Sequence, residues 1–242
     1  MHLNAIVRLF KPISASGGIV ANKHLEKSVR QDIYEKIRDD ITFGHLLSGE
    51  RLTEKKLSDI YKGSRSPIRE ALRQLESEGL ISFERNKGIE VAKLSVKQVE
   101  EIYDLRELLE GYAVRVAIRK MTKKDIAYLE DLHKKMMKAA SSGDTQLWLQ
   151  NNALFHAFFR EMADNESLCQ FIVILRRRIY RYQYMSVSFP RFFETYIEHH
   201  AMMIEACKAK DVDLAENTMK IHLRKVRDVI ITSLATNRNQ LI

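Results

Sequence analysis

Helix-breaking residues are spread unevenly along this 242-residue chain, and that unevenness constrains its fold more than any other feature. Gly44, Gly49, Gly63, Gly79 and Gly88 punctuate residues 44–88, whereas only Gly143 and Pro190 interrupt residues 112–242. Glycine weakens a helix interior by about 1 kcal/mol and proline by about 3 kcal/mol. Short elements are therefore expected first and long helices after them. With 45% hydrophobic and 30% charged residues the chain can build a core. No window approaches the 18 or so apolar residues of a membrane-spanning helix. The first 22 residues lack the apolar core of a secretory signal and read as a weakly ordered extension. Cys169 and Cys207 have no CxxC spacing, which leaves neither a disulfide framework nor a cysteine zinc knuckle and fits a reducing cytoplasm.

Leu25–Phe43 carries Val29, Ile33, Ile37 and Ile41 four residues apart, one apolar helical face, with Gly44 just beyond its end. A second helix is expected from Thr53, a suitable N-cap, with Glu54 in its first turn and Leu57 and Ile60 facing inward. A third is expected from Ser66 as cap, with Pro67 at the first helical position and Ile68, Leu72 and Leu75 as its buried stripe. LISFERNKGIEVAKL then reads as two short strands around Asn86-Lys87-Gly88. Three helices closed by a two-stranded wing make a winged helix-turn-helix over residues 23–94.

The chain holds 40 Lys+Arg against 32 Asp+Glu, a formal net charge of +8, and Lys55, Lys56, Lys62, Arg65, Arg69 and Arg73 crowd the second and third helices. Arg65, Arg69 and Arg73 recur every four residues and share one side, opposite the apolar stripe. Such a row meets phosphates, and an arginine at the helix start reaches guanine in the major groove. A solvated face paired with Glu70, Glu76 and Glu78 explains the same row, but its place in a helix-turn-helix favours DNA. Residues 28–94 resemble the DNA-binding domain of GntR regulators through GERL, TEKKLS, SRSPIREALRQL, EGL and the wing, in that order. The resemblance implies that Lys55, Arg65, Ser66, Arg69, Lys87 and Gly88 face operator DNA, and the four-residue spacing adds Arg73 to them. Two positions depart from the family pattern. Lys55 replaces the usual arginine and lacks its bidentate fork, and Lys62-Gly63 stands where Gly-Val is usual, which removes a small apolar anchor beneath the recognition helix.

Residues 95–236 read as six helices, starting at about Ser95, Thr122, Asp144, Asn165, Pro190 and Asp211, with residues 237–242 as a tail. Ser95-Val96-Lys97-Gln98 is a capping box, and the face it starts runs through Val99, Ile102, Tyr103, Arg106, Glu110, Ala113 and Ala117. An all-helical bundle buries six amphipathic faces. Three of those faces carry polar residues: Asn152 and His156 with Trp148, Phe155 and Phe159; His200 with Tyr196, Met203 and Cys207; His222 with Ala215, Met219 and Val226. One buried histidine is usually a satisfied core residue. Three on separate helices point to a divalent cation that accepts their lone pairs, since each unpaired buried imidazole costs about 1–3 kcal/mol. His199 points about 100° away from His200 and is left out.

This half resembles the FCD domain of FadR-like GntR proteins through YDLRELLEGYAVRVA, NNALFHAFFREMADNESL, EHHAMMIEACKAKD and AENTMKIHL. The resemblance implies a metal site of Asn152, His156, His200 and His222, with asparagine where aspartate is more frequent. It also implies an effector-binding Arg106, for which Glu110 one turn away is an alternative partner. Zinc is the expected ion, with nickel and manganese as alternatives. The chain is thus expected to be a cytoplasmic transcription regulator, a repressor by association with its family. It is expected to bind inverted-repeat operator DNA as a homodimer and to respond to a small organic acid. The competing readings are a metal-dependent hydrolase or lyase with an appended DNA-binding domain, for which no general base stands beside the histidines, and a sequence-independent architectural DNA binder.

Overall fold

The computed structural model describes residues 23–84, 88–186 and 192–239. The expected extension 1–22, the wing-tip Lys87 and the expected helix start Pro190 lie outside them. The described residues form two compact units, 23–94 with Arg176–Arg181, and Ser95–Leu175 with residues from Tyr182 onward. None of their helices is long and apolar enough to cross a membrane.

The first unit runs α1 (Lys23–Thr42), β1 (Arg51–Leu52), α2 (Glu54–Tyr61), α3 (Arg65–Ser77), β2 (Ile81–Glu84) and β3 (Gly88–Val91). Ile33, Ile37 and Ile41 of α1 meet Leu57 of α2 and Ile68, Leu72 and Leu75 of α3 in one core. Two phenols, Tyr34 buried and Tyr61 half-buried, tie these helices together: Tyr34 Oη donates to the Glu78 carboxylate at 2.7 Å, and Tyr61 Oη donates to Asp40 Oδ2 at 2.6 Å. Thr53 caps α2 by accepting from Lys56 N. Ile60 does not face inward as the spacing predicts; it is 48% exposed. Tyr61, four residues after Leu57 and so nearly above it, packs on the core in its place.

The third helix starts two residues earlier than expected. Ser64 is its N-cap and makes no side-chain capping bond, so Ser66 and Pro67 are its second and third residues. Proline is tolerated there because the first four helical amides lack an intrahelical acceptor in any case. The wing is three-stranded, in the order β1-β3-β2, with Leu52 opposite Ile89 and Ile81 opposite Val91. A two-residue strand has no alternation to read, and β1 escaped the sequence for that reason.

Lys62 takes the left-handed conformation at φ 53°, where glycine is usual in the family. The absent valine at Gly63 has a structural counterpart: a Cβ at Gly63 would lie 2.5 Å from Ile33 Cδ1. The isoleucine of α1 thus fills the volume from the other side.

The second unit is a bundle of α4 (Val96–Lys120), α5 (Lys123–Ser142), α6 (Thr145–Met162), α7 (Glu166–Ser186), α8 (Phe192–Ala209) and α9 (Val212–Asn239). Its starts follow the predicted caps: Ser95 and Thr122 form capping boxes, and Asp144, Asn165 and Asp211 each accept an amide of the first turn. The last helix continues to Asn239, into the segment read as a tail. Helix α4 packs on α9 and α6, and α8 packs on α9 and α5. Arg115 clamps α4 to α9 through Asp213 and Glu216. Lys210 Nζ donates to Ile118 O at 2.9 Å and so covers the carbonyl end of α4. Cys169 and Cys207 are free and buried.

Gly63→Val is expected to destabilise the first unit by about 1–3 kcal/mol, because Ile33 is buried and has nowhere to retreat. In the Ile33→Ala background the same change should cost much less, or stabilise. Denaturant midpoints of the two single variants and the double variant measure this coupling; simple additivity would contradict it.

Candidate functional site

Lys55, Arg65, Ser66, Arg69 and Arg73 are all exposed. Arg65, Arg69 and Arg73 line one exposed side of α3, about 100° around the helix from buried Ile68, Leu72 and Leu75 and not opposite them. Arg69 Nε donates to Glu54 Oε1 of α2 at 2.7 Å. Exposed ion pairs are weak and exchange readily for a phosphate or a base edge. Arg65 and Ser66 occupy the first two positions of α3, where backbone N–H groups and the positive end of the helix dipole favour an anion. Gly88 opens β3 in the left-handed region at φ 82° and is exposed. A basic helix face beside a wing suits the major groove and flanking backbone of duplex DNA.

The interior of the helical unit is polar in one place. His156 of α6, His200 of α8 and His222 of α9 are buried and offer one ligand atom each, all within 4.8 Å of one another. Their ring centroids are 5.8 Å (His156–His200), 5.2 Å (His156–His222) and 4.8 Å (His200–His222) apart. Asn152, one turn before His156, is buried as well. Asn152 Oδ1, both ring nitrogens of His200 and His222 Nδ1 have no hydrogen-bond partner among the described residues. Phe155 stands against His200 at 4.6 Å between rings, and Tyr196 against His222 at 5.5 Å.

Helix α4 brings a charged pair to the same interior. Arg106, 1% exposed, donates through Nε to Glu110 Oε1 at 2.7 Å. Its guanidinium lies 4.7 Å from the Tyr103 ring centroid, and its Nη1 meets no hydrogen-bond partner among the described residues. The other oxygen of Glu110 lies 3.1 Å from His156 Nδ1. The helix places Arg106 and Glu110 on one side by their four-residue spacing.

Both halves match known family models: the FCD domain over residues 101–225, and bacterial regulatory proteins of the gntR family over residues 29–91. The chain belongs to the GntR family of bacterial regulators. It is similar to the HTH-type transcriptional regulator McbR of Escherichia coli (strain K12), 29% identical over 192 residues that cover 78% of this chain and 86% of McbR. It is equally similar to the HTH-type transcriptional repressor RspR of the same organism, 29% identical over 204 residues, 84% of this chain and 89% of RspR. The solved structure of E. coli McbR/YncC superposes with a TM-score of 0.73 at 25% identity, covering 85% of this chain and 98% of that one. This GntR protein is a DNA-binding transcriptional regulator; its family and relatives are regulators, which sets aside the hydrolase or lyase reading.

Two residues stand closer to the histidines than helical spacing alone indicates. His199, set aside by helical angle, has its ring 5.9 Å from that of His222. A 100° offset on one helix does not keep a side chain from a neighbouring helix. Glu110 was read only as the partner of Arg106, whereas it also reaches His156, 46 positions away.

Burial holds the His200 and His222 imidazoles well below their ordinary range, and the neighbouring imidazoles lower both further, His156 first for His200 and His200 first for His222. The unfolded chain takes up these protons near pH 6.5 and the folded state does not. Stability is therefore full above about pH 6.5 and falls as the pH drops below it. Chelator-treated protein is expected to unfold at lower denaturant at pH 5.5 than at pH 7.5, and His200→Leu to flatten that dependence. Equal midpoints at the two pH values in the parent protein would refute this.

Proposed function

We propose that this regulator reads an inverted-repeat operator as a homodimer and that its FCD domain holds a divalent cation beside an anionic effector. The observation that carries the second part is the set of buried lone pairs without partners: Asn152 Oδ1, both nitrogens of His200 and Nδ1 of His222. Polar atoms left so cost about 1–3 kcal/mol each. A cation shared by Asn152, His156, His200 and His222 satisfies them together, and imidazole donors favour zinc, with nickel and manganese as alternatives. A bound ion would supply a Lewis-acidic anchor for an anion. Asn152 and neutral imidazoles leave an ion's double charge uncompensated, and Arg106 points a further cation inward. A small carboxylate suits both, and its binding is proposed to change operator affinity, with repression as the mode.

On the DNA side, Arg65 and Arg69 read bases, Arg73, Lys55, Lys87 and Ser66 meet phosphates, and Gly88 lets the wing approach the backbone. The dimer is supported by an exposed apolar stripe. Leu105, Leu108 and Tyr112 of α4 and Phe171 of α7 are 50–63% exposed, beside the seam where Leu109 and Val116 pack on Leu168 and Ile172. A cytoplasmic location fits a DNA-binding regulator.

Arg65→Ala and Arg69→Ala should each weaken operator binding about 10- to 100-fold in a mobility-shift titration, with scrambled DNA little affected. Lys87→Ala should lower mainly the salt dependence. Folded arginine variants with parental affinity, or a monomer on the operator at micromolar concentration, would contradict the assignment.

Removing divalent ions with a chelator should lower the melting temperature, Zn²⁺ should restore it, and His200→Ala should abolish the response. Asn152→Asp should tighten binding by adding an anionic ligand. The proposal fails if metal analysis of untagged protein finds none and added ions leave melting unchanged.

A further inference from the structure

Glu110 is placed to act on the histidine cluster and not only on its own helix. It is 4% exposed, and its carboxylate divides between two partners: Oε1 accepts from Arg106 Nε at 2.7 Å, and Oε2 faces His156 Nδ1 at 3.1 Å. A carboxylate paired with an arginine only accepts hydrogen bonds, so the facing ring nitrogen must carry the proton. This places a hydrogen on Nδ1, and in the neutral ring the lone pair is then on Nε2, on the opposite side of the ring. His200 has no such partner on either nitrogen, and His222 has none on Nδ1. Among the described residues, the carboxylate hydrogen bond in the trio is the one at His156.

We infer that Glu110 is a positioning residue for the metal centre: it fixes His156 as the Nδ1–H tautomer and turns its Nε2 lone pair toward His200 and His222. The same carboxylate holds Arg106 through Nε, which leaves Nη1 for an anion, so one side chain orients both the cation ligand and the anion ligand. This rests on the metal reading given above. Carboxylates behind ligating histidines typically contribute 10- to 100-fold in metal affinity.

The test separates the hydrogen bond from the ion pair. A change at Glu110 alone strands a buried arginine and can unfold the domain, so two double variants are compared in the full chain: R106M/E110Q, which retains an acceptor for Nδ1–H, and R106M/E110M, which does not. Both remove the buried charges together, a change that folds usually tolerate. Chelator-stripped protein is titrated with Co²⁺ at pH 7.5, and the His156 tautomer is read in the metal-free state from long-range ¹H–¹⁵N correlations. The expected result is an Nδ1–H ring in the parent and in R106M/E110Q. R106M/E110M should show a ring released to the other tautomer and Co²⁺ affinity about 10- to 100-fold below that of R106M/E110Q. Equal affinity in the two variants, or the same tautomer in both, overturns the inference. If the parent protein binds no Co²⁺ the metal reading falls by itself, and the tautomer comparison still decides whether Glu110 governs His156.

Discussion

Arg106 carries a permanent charge into the middle of the helical unit, where only 1% of its surface meets solvent, and Glu110 one turn along α4 makes that burial tolerable. Removing an ion from water costs several kcal/mol even after relaxation, and an arginine cannot escape by losing its proton. Because the two residues are four apart, the pair forms as soon as α4 forms. The bundle then has to close around a carboxylate whose second oxygen still needs a donor. His156 of α6 stands where that donor is required. A local ion pair is in this way extended into a contact between helices, and the orientation of one imidazole follows from it.

Around that pair the bundle satisfies many of its polar groups locally. Helix starts are capped, the carbonyl end of α4 is covered by Lys210, and aromatic rings from Tyr103, Phe155 and Tyr196 line the polar interior. Among the described residues Asn152, His200 and His222 carry lone pairs without hydrogen-bond partners and share one region of the unit with His156. Neighbouring unmet polar atoms from three helices offer one ligand several partners at once.

Much of this was legible in the sequence, and what was legible was local. Thr53, Ser95, Thr122, Asp144, Asn165 and Asp211 announce helix starts because a cap acts within three residues, and Trp148, His156, His200 and His222 fall on buried faces because helical spacing sets their direction. The errors have a common cause in competition between neighbours. Ser64 took the cap expected of Ser66, and Tyr61 took the inward place expected of Ile60. Both alternatives satisfy the same pattern, and packing decides between them. The Glu110–His156 contact and the strand β1 depend on distant parts of the chain, which a single helical or alternating pattern does not encode.

The packing of Ile33 against Gly63 also bears on how such a chain changes over generations. The two residues share one volume, contributed from α1 here and, in the usual family pattern, from the residue that precedes the recognition helix. A lineage cannot pass from one arrangement to the other by a single favourable replacement, because valine added first collides with the isoleucine, and the isoleucine shortened first opens a void beneath α3. The route runs through a compensated pair. Positions 33 and 63 are therefore expected to covary among relatives, a large side chain at one accompanying a small one at the other. Grafting this recognition helix with Gly63 onto a regulator with a small residue in α1 would carry the void along with it.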